Sequence, residues 1–270
     1  MDADLNTAQA AERAERNEIE AWHDLFAAIP PELASAHGLT AQRRGSALAL
    51  SARDLPVGMF NRVFGLGLDE ALDEAALAWA EVSVPSPQRW LQPSPNHREA
   101  DSLERLAAAG YQRRPQRWAQ FLRAAEATTA PTGSPEVRDV PAGRTNDFAQ
   151  TLVQAMGMPP WMVGWCAALC GRPRWHTFAA YAGGAPIGAA ALFVDGDNAW
   201  LGMAATLPEQ RKHGGQRALL TQRISSAAAL GARWISSETG EPVPGQPHPS
   251  YSNLLASGLV LRAHRQVWSR

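Results

Sequence analysis

A basic, glycine-rich segment in the second half of the chain carries the clearest chemical signal in the sequence. The segment Arg211–Arg217 reads Arg-Lys-His-Gly-Gly-Gln-Arg, follows an apolar, strand-like run at 199–208, and precedes a helical pattern that reaches about residue 230. A strand that leads through such a turn into a helix presents successive backbone N–H groups at the positive end of the helix dipole. Glycine lets the backbone approach a ligand closely. The segment therefore predicts a binding site for an anionic phosphate group.

A nucleotide-binding loop of the Walker type does not fit these residues. No Lys-Ser or Lys-Thr pair follows Gly214 and Gly215, and the glycine that such a loop carries upstream is absent. The sequence therefore argues against a nucleoside triphosphate as the ligand.

The composition of the whole chain limits the classes of partner. With 270 residues, 45% of them hydrophobic and 19% charged, and a net charge of −1, it is typical of a soluble globular protein of one large or two ordinary domains. This charge gives no footprint for nucleic acid or for an anionic membrane surface. No apolar run approaches the roughly 20 residues of a membrane-spanning helix, and the acidic start does not resemble a signal peptide. We therefore expect a cytoplasmic protein without nucleic-acid or membrane partners.

The two cysteines give no sign of a disulfide or a metal. Cys166 and Cys170 lie four residues apart on a predicted helix, a spacing that fits one buried and one half-buried thiol. No neighbouring ligands complete a zinc site, so we expect no metal.

The elements that must position the phosphate turn fall into two halves. The first half begins with an amphipathic helix over 7–28, and later residues predict a strand at 46–51 and a helix from Leu68 to Ala80. The region 124–143 is rich in Ala, Thr, Pro, Gly and Glu, which is typical of a connection. The predicted division is an N-terminal domain at 1–125, a linker at 126–143 and a C-terminal domain at 144–270.

The second half alternates helices and strands more regularly. The predicted elements are helices at 145–156 and 161–169, strands at 175–181, 185–194 and 199–207, the helix after the phosphate turn, a strand at 232–237, a helix at 250–256 and a last strand at 260–268. A short repeat links the halves, because Leu106 to Tyr111 and Leu255 to Leu259 both read as a helix end, a glycine cap and the start of a strand. Duplication or chance could each produce it.

These features resemble the GCN5-related N-acetyltransferases (GNAT). The acyl-CoA signature of that family is Gln/Arg-x-x-Gly-x-Gly/Ala at the start of a helix after a central strand. Arg211, Gly214 and Gln216 occupy its three defined positions, with Gln216 where Gly or Ala is usual. The order of elements over about 136–270 also matches. The resemblance implies an α/β fold with a mixed sheet of the α+β kind, built from two GNAT-like halves.

The first half resembles a degenerate copy of the same fold. It has no phosphate turn of its own, and its Gly65-Leu66-Gly67 segment lacks basic neighbours. The stretch Met59–Gly67 is similar to one that recurs in two-part acetyltransferases.

The resemblance implies transfer of an acyl group from acetyl-CoA to an amine. The cleft that holds the thioester would lie between the strands at 199–207 and 232–237. The implied contacts with acetyl-CoA fall into three groups. The turn after Arg211 would bind the pyrophosphate and consists of Lys212, His213, Gly214, Gly215, Gln216 and Arg217. The end of the preceding strand, Ala204, Ala205 and Thr206, would bind the pantetheine arm, and Asn253 on a later helix would add a contact.

Amine acylation also needs a general base and an acid for the leaving thiolate. Glu238 ends an apolar strand beside the expected acceptor entrance, and burial would raise its pKa and make it a better base. A strand-capping or amine-binding role is the alternative. The family's usual tyrosine acid falls at Leu254 here, so Tyr251 is the candidate acid, with simple packing as its alternative and His248 and Ser250 as substitutes.

Ten tryptophans are many for this length. Trp161, Trp165, Trp175 and Trp200 fall near the expected cleft, where they could wall an apolar acceptor pocket or simply belong to the core.

The sequence thus predicts an acetyl-CoA-dependent N-acetyltransferase that acts on a small-molecule amine. The alternative is an acyl-CoA-binding regulatory or scaffold protein without catalysis, because the usual tyrosine is missing and the first half is degenerate. The identity of the amine, the acyl chain length and the oligomeric state stay open, with a homodimer as one option.

Overall fold

Eleven strands form one continuous sheet in the computed structural model, which describes residues 5–97 and 101–270. The helices are α1 Thr7–Ala27, α2 Pro31–His37, α3 Glu74–Ser83, α4 Ser102–Ala108, α5 Thr145–Met156, α6 Met162–Ala167, α7 Gly215–Ala229 and α8 Pro249–Ala256. The strands are β1 Leu39–Arg44, β2 Ala47–Ala52, β3 Arg62–Leu66, β4 Trp90–Pro93, β5 Gln112–Ala124, β6 Glu136–Asp139, β7 Trp175–Ala182, β8 Ala185–Asp195, β9 Asn198–Thr206, β10 Trp234–Gly240 and β11 Val260–Ser269.

Helix α1 confirms the first predicted element and lies across the middle of the sheet. Asn6 begins it with a capping box, in which the Asn6 side chain accepts from the backbone N–H of Gln9 and the Gln9 side chain accepts from that of Asn6. Its buried face carries Trp22 and Leu25, and it packs on strands of both halves, including β3, β5, β9, β10 and β11. Both halves of the chain therefore share one helix.

The elements of the second half also agree with the sequence. Helix α5 has the predicted bounds, and β7, β8 and β9 form an antiparallel meander joined by tight turns. One buried apolar cluster covers the face of the sheet under α1 and α5, and another covers the opposite face under α7. The central strands are therefore buried on both faces.

Two predictions for the connecting regions need correction. The helix predicted from Leu68 begins only at Glu74, because Asp73 accepts from the backbone N–H of Ala76 and caps it there. The segment 126–143 is more than a connection, since it contains β6, which pairs antiparallel with β7. The short strands β1, β3 and β4 were not predicted.

The internal repeat is confirmed by the order of elements. Two helices, three strands, a helix, a strand, a helix and a strand follow one another from α1 to β5 and again from α5 to β11, with β6 added before the second set. The two glycine caps are also alike. At the end of α4, Tyr111 N–H donates to Leu106 O at 3.0 Å, and at the end of α8, Leu259 N–H donates to Leu254 O at 3.1 Å. Both are the hydrogen bond of a Schellman motif.

The two halves exchange their last strands. The order across the sheet is β1-β2-β3-β4-β11-β5-β10-β9-β8-β7-β6. Strand β5, from the first half, pairs antiparallel with β10 of the second half, whereas β11 of the second half lies between β4 and β5. Each half therefore contributes a strand to the other.

Both cysteines are buried free thiols, and burial raises the pKa of Cys166 to about 12. Among the described residues, no helix is both long enough and apolar enough to cross a membrane.

Candidate functional site

A cleft opens between the two parallel strands β9 and β10 in the second half. The strands pair at only three positions, which join residues 198–200 to residues 234–236, and then diverge. The divergence leaves a cavity of about 180 Å³, lined by β9 from Trp200 to Ala204, by Glu238 and its neighbours on β10, and by side chains of α7 and α8. Diverging strands leave their inner backbone N–H and C=O groups unpaired, so the cleft can bind an extended ligand through main-chain hydrogen bonds.

A bulge in β9 lies beside this opening. The register with β8 shifts so that Ala204 pairs with Ala190 and Gly202 with Ala191, which leaves Met203 as the extra residue. Met203 has a φ of +45°, a region that non-glycine residues rarely adopt. Bulges and strained backbone of this kind concentrate next to functional sites, and no local sequence pattern predicted this one.

The phosphate turn lies at the mouth of the cleft. Strand β9 ends at Thr206, a short 3₁₀ turn follows at Pro208–Gln210, and α7 begins at Gly215. Within the described part of the chain, the backbone N–H groups of residues 212–217 find no hydrogen-bond acceptor. Six consecutive free donors at the N-terminus of a fifteen-residue helix form a strong site for an anion.

The conformation of the turn depends on Gly214, which has a φ of +81°. A Cβ at this position would be strained by the backbone, although the space around it is nearly open, with Pro135 Cδ at 3.5 Å. Arg211, Lys212 and Arg217 are exposed around the turn and add positive charge. The turn therefore combines free donors with cations on one solvent-facing surface.

The other residues predicted for acetyl-CoA binding lie at different depths. Ala204 and Gln216 line the cavity, whereas Ala205 and Thr206 follow on β9 and pair with β8 on its other edge. His213 is exposed in the turn, and Gly215 is buried at the start of α7. Asn253 is half-buried on α8 but does not line the cavity.

Glu238 lies half-buried in the cavity wall and is held by two indoles. Trp200 Nε1 donates to Glu238 Oε2 at 2.7 Å, and Trp22 Nε1 lies 3.3 Å from Oε1. Burial, together with repulsion by the nearby Glu18, raises the pKa of Glu238 to about 7. A carboxylate with this pKa exchanges protons readily near neutral pH, which is what a general base must do.

Gly202 makes room for the Trp200 ring. A Cβ on Gly202 would lie 1.7 Å from that ring, so the indole can fold back over β9 only because residue 202 has no side chain. The Trp-x-Gly spacing on β9 therefore places the donor that holds Glu238.

Buried ion pairs lie behind Glu238. Glu18 Oε1 accepts from Arg62 Nη2 at 3.1 Å and from Arg265 Nη2 at 2.7 Å, and all three side chains are fully buried. Arg62 also stacks over the Trp22 ring, with its guanidinium carbon 4.6 Å from the ring centre. The carboxylate in the cavity is thus linked through Trp22 to charges in the first half.

A family model for the acetyltransferase (GNAT) domain matches residues 96–242, just over half of the chain. The chain belongs to the GNAT acetyltransferase family.

Solved GNAT structures share the fold along almost the whole chain. A GCN5-related N-acetyltransferase from Kribbella flavida has a TM-score of 0.59 at 13% identity and covers 94% of this chain and 95% of its own. A tandem GNAT protein from the clavulanic acid biosynthesis pathway has a TM-score of 0.55 at 15% identity, with 97% and 96% covered. A GCN5-related N-acetyltransferase from Sphaerobacter thermophilus has a TM-score of 0.57 at 16% identity and covers 82% of this chain and 79% of its own. No curated protein matches the sequence.

The first half of this GNAT protein supplies one wall of the cavity. Trp22 of α1, Met59 and Trp118 of β5 all line it, although none was predicted there. Glu15, Glu18 and Trp22 follow at helical spacing, so two carboxylates share a face of α1 with the indole that touches Glu238. Acidic residues on an otherwise apolar helix face were the available signal.

Tyr251 does not line the GNAT cleft. Its ring packs edge-on against Phe121, with centroids 5.2 Å apart, whereas Ser250 and Leu254 of the same helix line the cavity. His248 contacts the backbone of Val243 in the preceding loop. The role of Tyr251 as an acid stays a prediction, and in this structure its ring packs against Phe121.

The predicted tryptophans divide between the cavity and the core. Trp200 lines the cavity, whereas Trp165 and Trp175 are buried in the apolar cluster under α1 and α5. Trp161 stacks on His37 at 3.9 Å. Only one of the four therefore contributes to the cleft wall.

Proposed function

We propose that this protein transfers an acyl group from acetyl-CoA to the amine of a small molecule. The observation that carries the proposal is the position of Glu238, in the wall of the same cleft that has the anion-binding turn at its mouth. One end of the cleft suits a pyrophosphate, and the other end has a group that can take a proton from an amine.

The donor end of the cleft fits acetyl-CoA. The free N–H groups of residues 212–217 and the exposed Arg211, Lys212 and Arg217 would bind the pyrophosphate. The diverging edge of β9, with Ala204, Ala205 and Thr206, would pair with the amide groups of the pantetheine arm, and Asn253 would add a contact from α8.

Arg223 braces the bulged part of β9 beneath this arm. It is fully buried, and its Nη1 donates to Ala191 O at 3.0 Å and to Gly202 O at 3.2 Å. Ala191 and Gly202 are register partners beside the bulge, so these bonds fix one carbonyl on each of β8 and β9, and Arg223 would act as a positioning residue. Its engagement with carbonyls leaves the exposed turn as the main site of positive charge for the phosphates.

Glu238 would act as the general base at the acceptor end. Acetyl-CoA supplies the acyl carbon, to which the amine nitrogen bonds as the bond to the CoA sulfur breaks; the amine loses a proton and the thiolate gains one. With its pKa raised to about 7 by burial, Glu238 is ionised at pH 8 and can accept the amine proton. The indole donors of Trp200 and Trp22 would orient it.

A non-catalytic acyl-CoA-binding protein is the second candidate. It is favoured by the absence of a tyrosine from the described residues that line the cleft, because Leu254 stands in the cavity wall and Tyr251 packs on Phe121. Such a protein would bind acetyl-CoA through the same turn and would not turn it over.

Release of the CoA thiol in the presence of an amine panel tests the proposal. We expect amine-dependent release, reduced at least about 100-fold in Glu238→Gln because the amide cannot take a proton. Glu241→Gln, three residues along the chain and ion-paired with Arg117, is the matched control and should retain activity. Acetyl-CoA binding without turnover of any amine would instead support the second candidate.

A further inference from the structure

We propose that the acceptor is an amine with one positive charge and an aromatic body, and that the first half of the chain selects it. This inference rests on the acyltransferase function and specifies its second substrate. The acceptor end of the cleft supports it through its aromatic walls and through Glu238, the one carboxylate among the described residues that line the cavity.

The walls around Glu238 are aromatic and apolar. Trp22 and Trp118 come from the first half and Trp200 from β9, and two methionines, Met59 and Met156, complete this end of the cavity. Indoles offer large flat surfaces to a ring, and methionine thioethers adapt to ring edges. An aromatic body would therefore bury its faces here.

Glu238 carries the negative charge that faces the acceptor in the cavity. Behind it, the carboxylates of Glu15 and Glu18 are matched by the guanidiniums of Arg62 and Arg265, so these four buried charges balance one another when all are ionised. One ammonium group at Glu238 would neutralise the remaining carboxylate, which favours an acceptor that arrives as a cation. Deprotonation by Glu238 then leaves the acceptor nitrogen neutral for attack.

The cavity wall offers no partner for a second positive charge on the acceptor. Among the described residues that line it, Glu238 is the one carboxylate, and the other charged group is the cation of Arg223. The Nε and Nη1 groups of Arg223 donate to backbone carbonyls. A polyamine would therefore bury an unpaired ammonium.

Steady-state kinetics with matched amines tests this inference. At pH 8 with saturating acetyl-CoA, we expect kcat/KM for 2-phenylethylamine to exceed that for 1,3-diaminopropane by at least about 100-fold. Propylamine, which keeps the charge and lacks the ring, should fall between them. Equal or greater kcat/KM with the diamine would overturn the inference and leave the acyltransferase function intact.

Removal of one indole tests the contribution of the first half. Trp118→Leu should lower the preference for 2-phenylethylamine over propylamine by about tenfold, since the lost contact is with the ring. Trp161→Leu removes an indole that stacks on His37 outside the cavity, and it should leave this ratio unchanged. An unchanged ratio in Trp118→Leu would overturn the role of the first half.

The same experiments separate this inference from the proposed function. If no amine in the panel releases thiol although acetyl-CoA binds, the acyltransferase function fails and the acceptor assignment fails with it. If amines react without preference for an aromatic monoamine, only the acceptor assignment fails.

Discussion

The two halves of this GNAT protein place the same strand, turn and helix in different chemical settings. In the second half, β9 leads through Arg211, Lys212 and Arg217 into α7. In the first half, β3 leads through a turn that carries Asp69, Glu70 and Asp73 into α3. The acidic turn of the first half would repel a pyrophosphate, and the basic turn of the second half would attract it. The two turns therefore differ in charge rather than in the order of elements.

The strand pairs behind these turns differ in the same sense. Strands β3 and β4 stay paired from Arg62 to Leu66, past a bulge at Gly65, whereas β9 and β10 separate after Trp200. Arg62 precedes the bulge at Gly65 by the same number of residues as Trp200 precedes the bulge at Met203, so these two residues correspond. On the adjacent strands, Gln92 of β4 corresponds to Glu238 of β10. Arg62 donates to Gln92 as Trp200 donates to Glu238. A closed strand pair with a carboxamide therefore leaves no cleft between β3 and β4 in the first half, whereas an open pair with a carboxylate forms the candidate site in the second.

Separation of the halves should have the largest effect. A fragment of residues 126–270 lacks β5, which lies between β10 and β11, and we expect it to show no cooperative unfolding transition. Urea unfolding followed by circular dichroism measures this, with the full chain as the control. A sharp transition in the fragment would mean that the second half folds without the exchanged strand.

A charge reversal in the phosphate turn comes next. Gly214→Asp places a carboxylate and a strained backbone among the free donors, and we expect acetyl-CoA affinity to fall at least about 100-fold. Isothermal titration calorimetry and the acetyl-CoA thermal shift measure it. Gly183→Asp, at an open glycine of positive φ in the hairpin between β7 and β8, is the control and should bind normally. An unchanged thermal shift in Gly214→Asp would refute the site.

The pH dependence of turnover tests the carboxylate that distinguishes the halves. Because the pKa of Glu238 is raised to about 7, its ionised fraction, and with it kcat/KM, should rise about tenfold between pH 6 and pH 8. Glu238→Gln gives the second half the carboxamide that Gln92 already provides in the first, and its residual rate should not follow this titration. A profile that is flat in the native protein would remove Glu238 as the base.

Neutralising the acidic turn of the first half should have the smallest effect. The double variant Asp69→Asn, Glu70→Gln removes surface ion pairs with Arg16 and Arg44, and we expect it to lower the free energy of unfolding by about 1 kcal/mol or less. Acetyl-CoA affinity should not change, because β3 and β4 remain paired behind the turn. A second binding event in calorimetry would show instead that charge alone keeps the first half from binding acetyl-CoA.

The sequence predicted the elements with strong periodicity and missed those without it. Helix α5 and the meander β7 to β9 follow clear amphipathic patterns. Strand β3 contains Arg62 and Gly65 and β4 ends in Pro93, so neither is typical of a buried strand, and long-range pairing determines both. Local patterns cannot encode which strand lies beside which.

The residues of the candidate site likewise fall into those that the sequence indicated and those that it did not. The sequence pointed to the basic, glycine-rich turn through its motif and to Glu238 as a carboxylate at the end of an apolar run, and the structure places Glu238 within β10 in the cavity wall. Trp22 and Trp118 could not be found in this way, because they reach the cavity only through the packing of α1 across the sheet and the exchange of β5. Residues brought together by distant parts of the chain leave no local pattern in the sequence.

Because the last strands are exchanged, strands that pair in the folded sheet are synthesised far apart in time. Strand β5 is made early, yet both its neighbours, β10 and β11, follow more than a hundred residues later. While the ribosome adds residues 125–259, the edges of β4 and β5 wait without β11, and such unpaired edges invite association with other chains. Pairing over this sequence distance is also slow. Strand β11, the fifth of the eleven strands across the sheet, is therefore synthesised last, and we expect the yield of folded protein to depend on protection of the unpaired edges of β4 and β5 until β11 pairs with them.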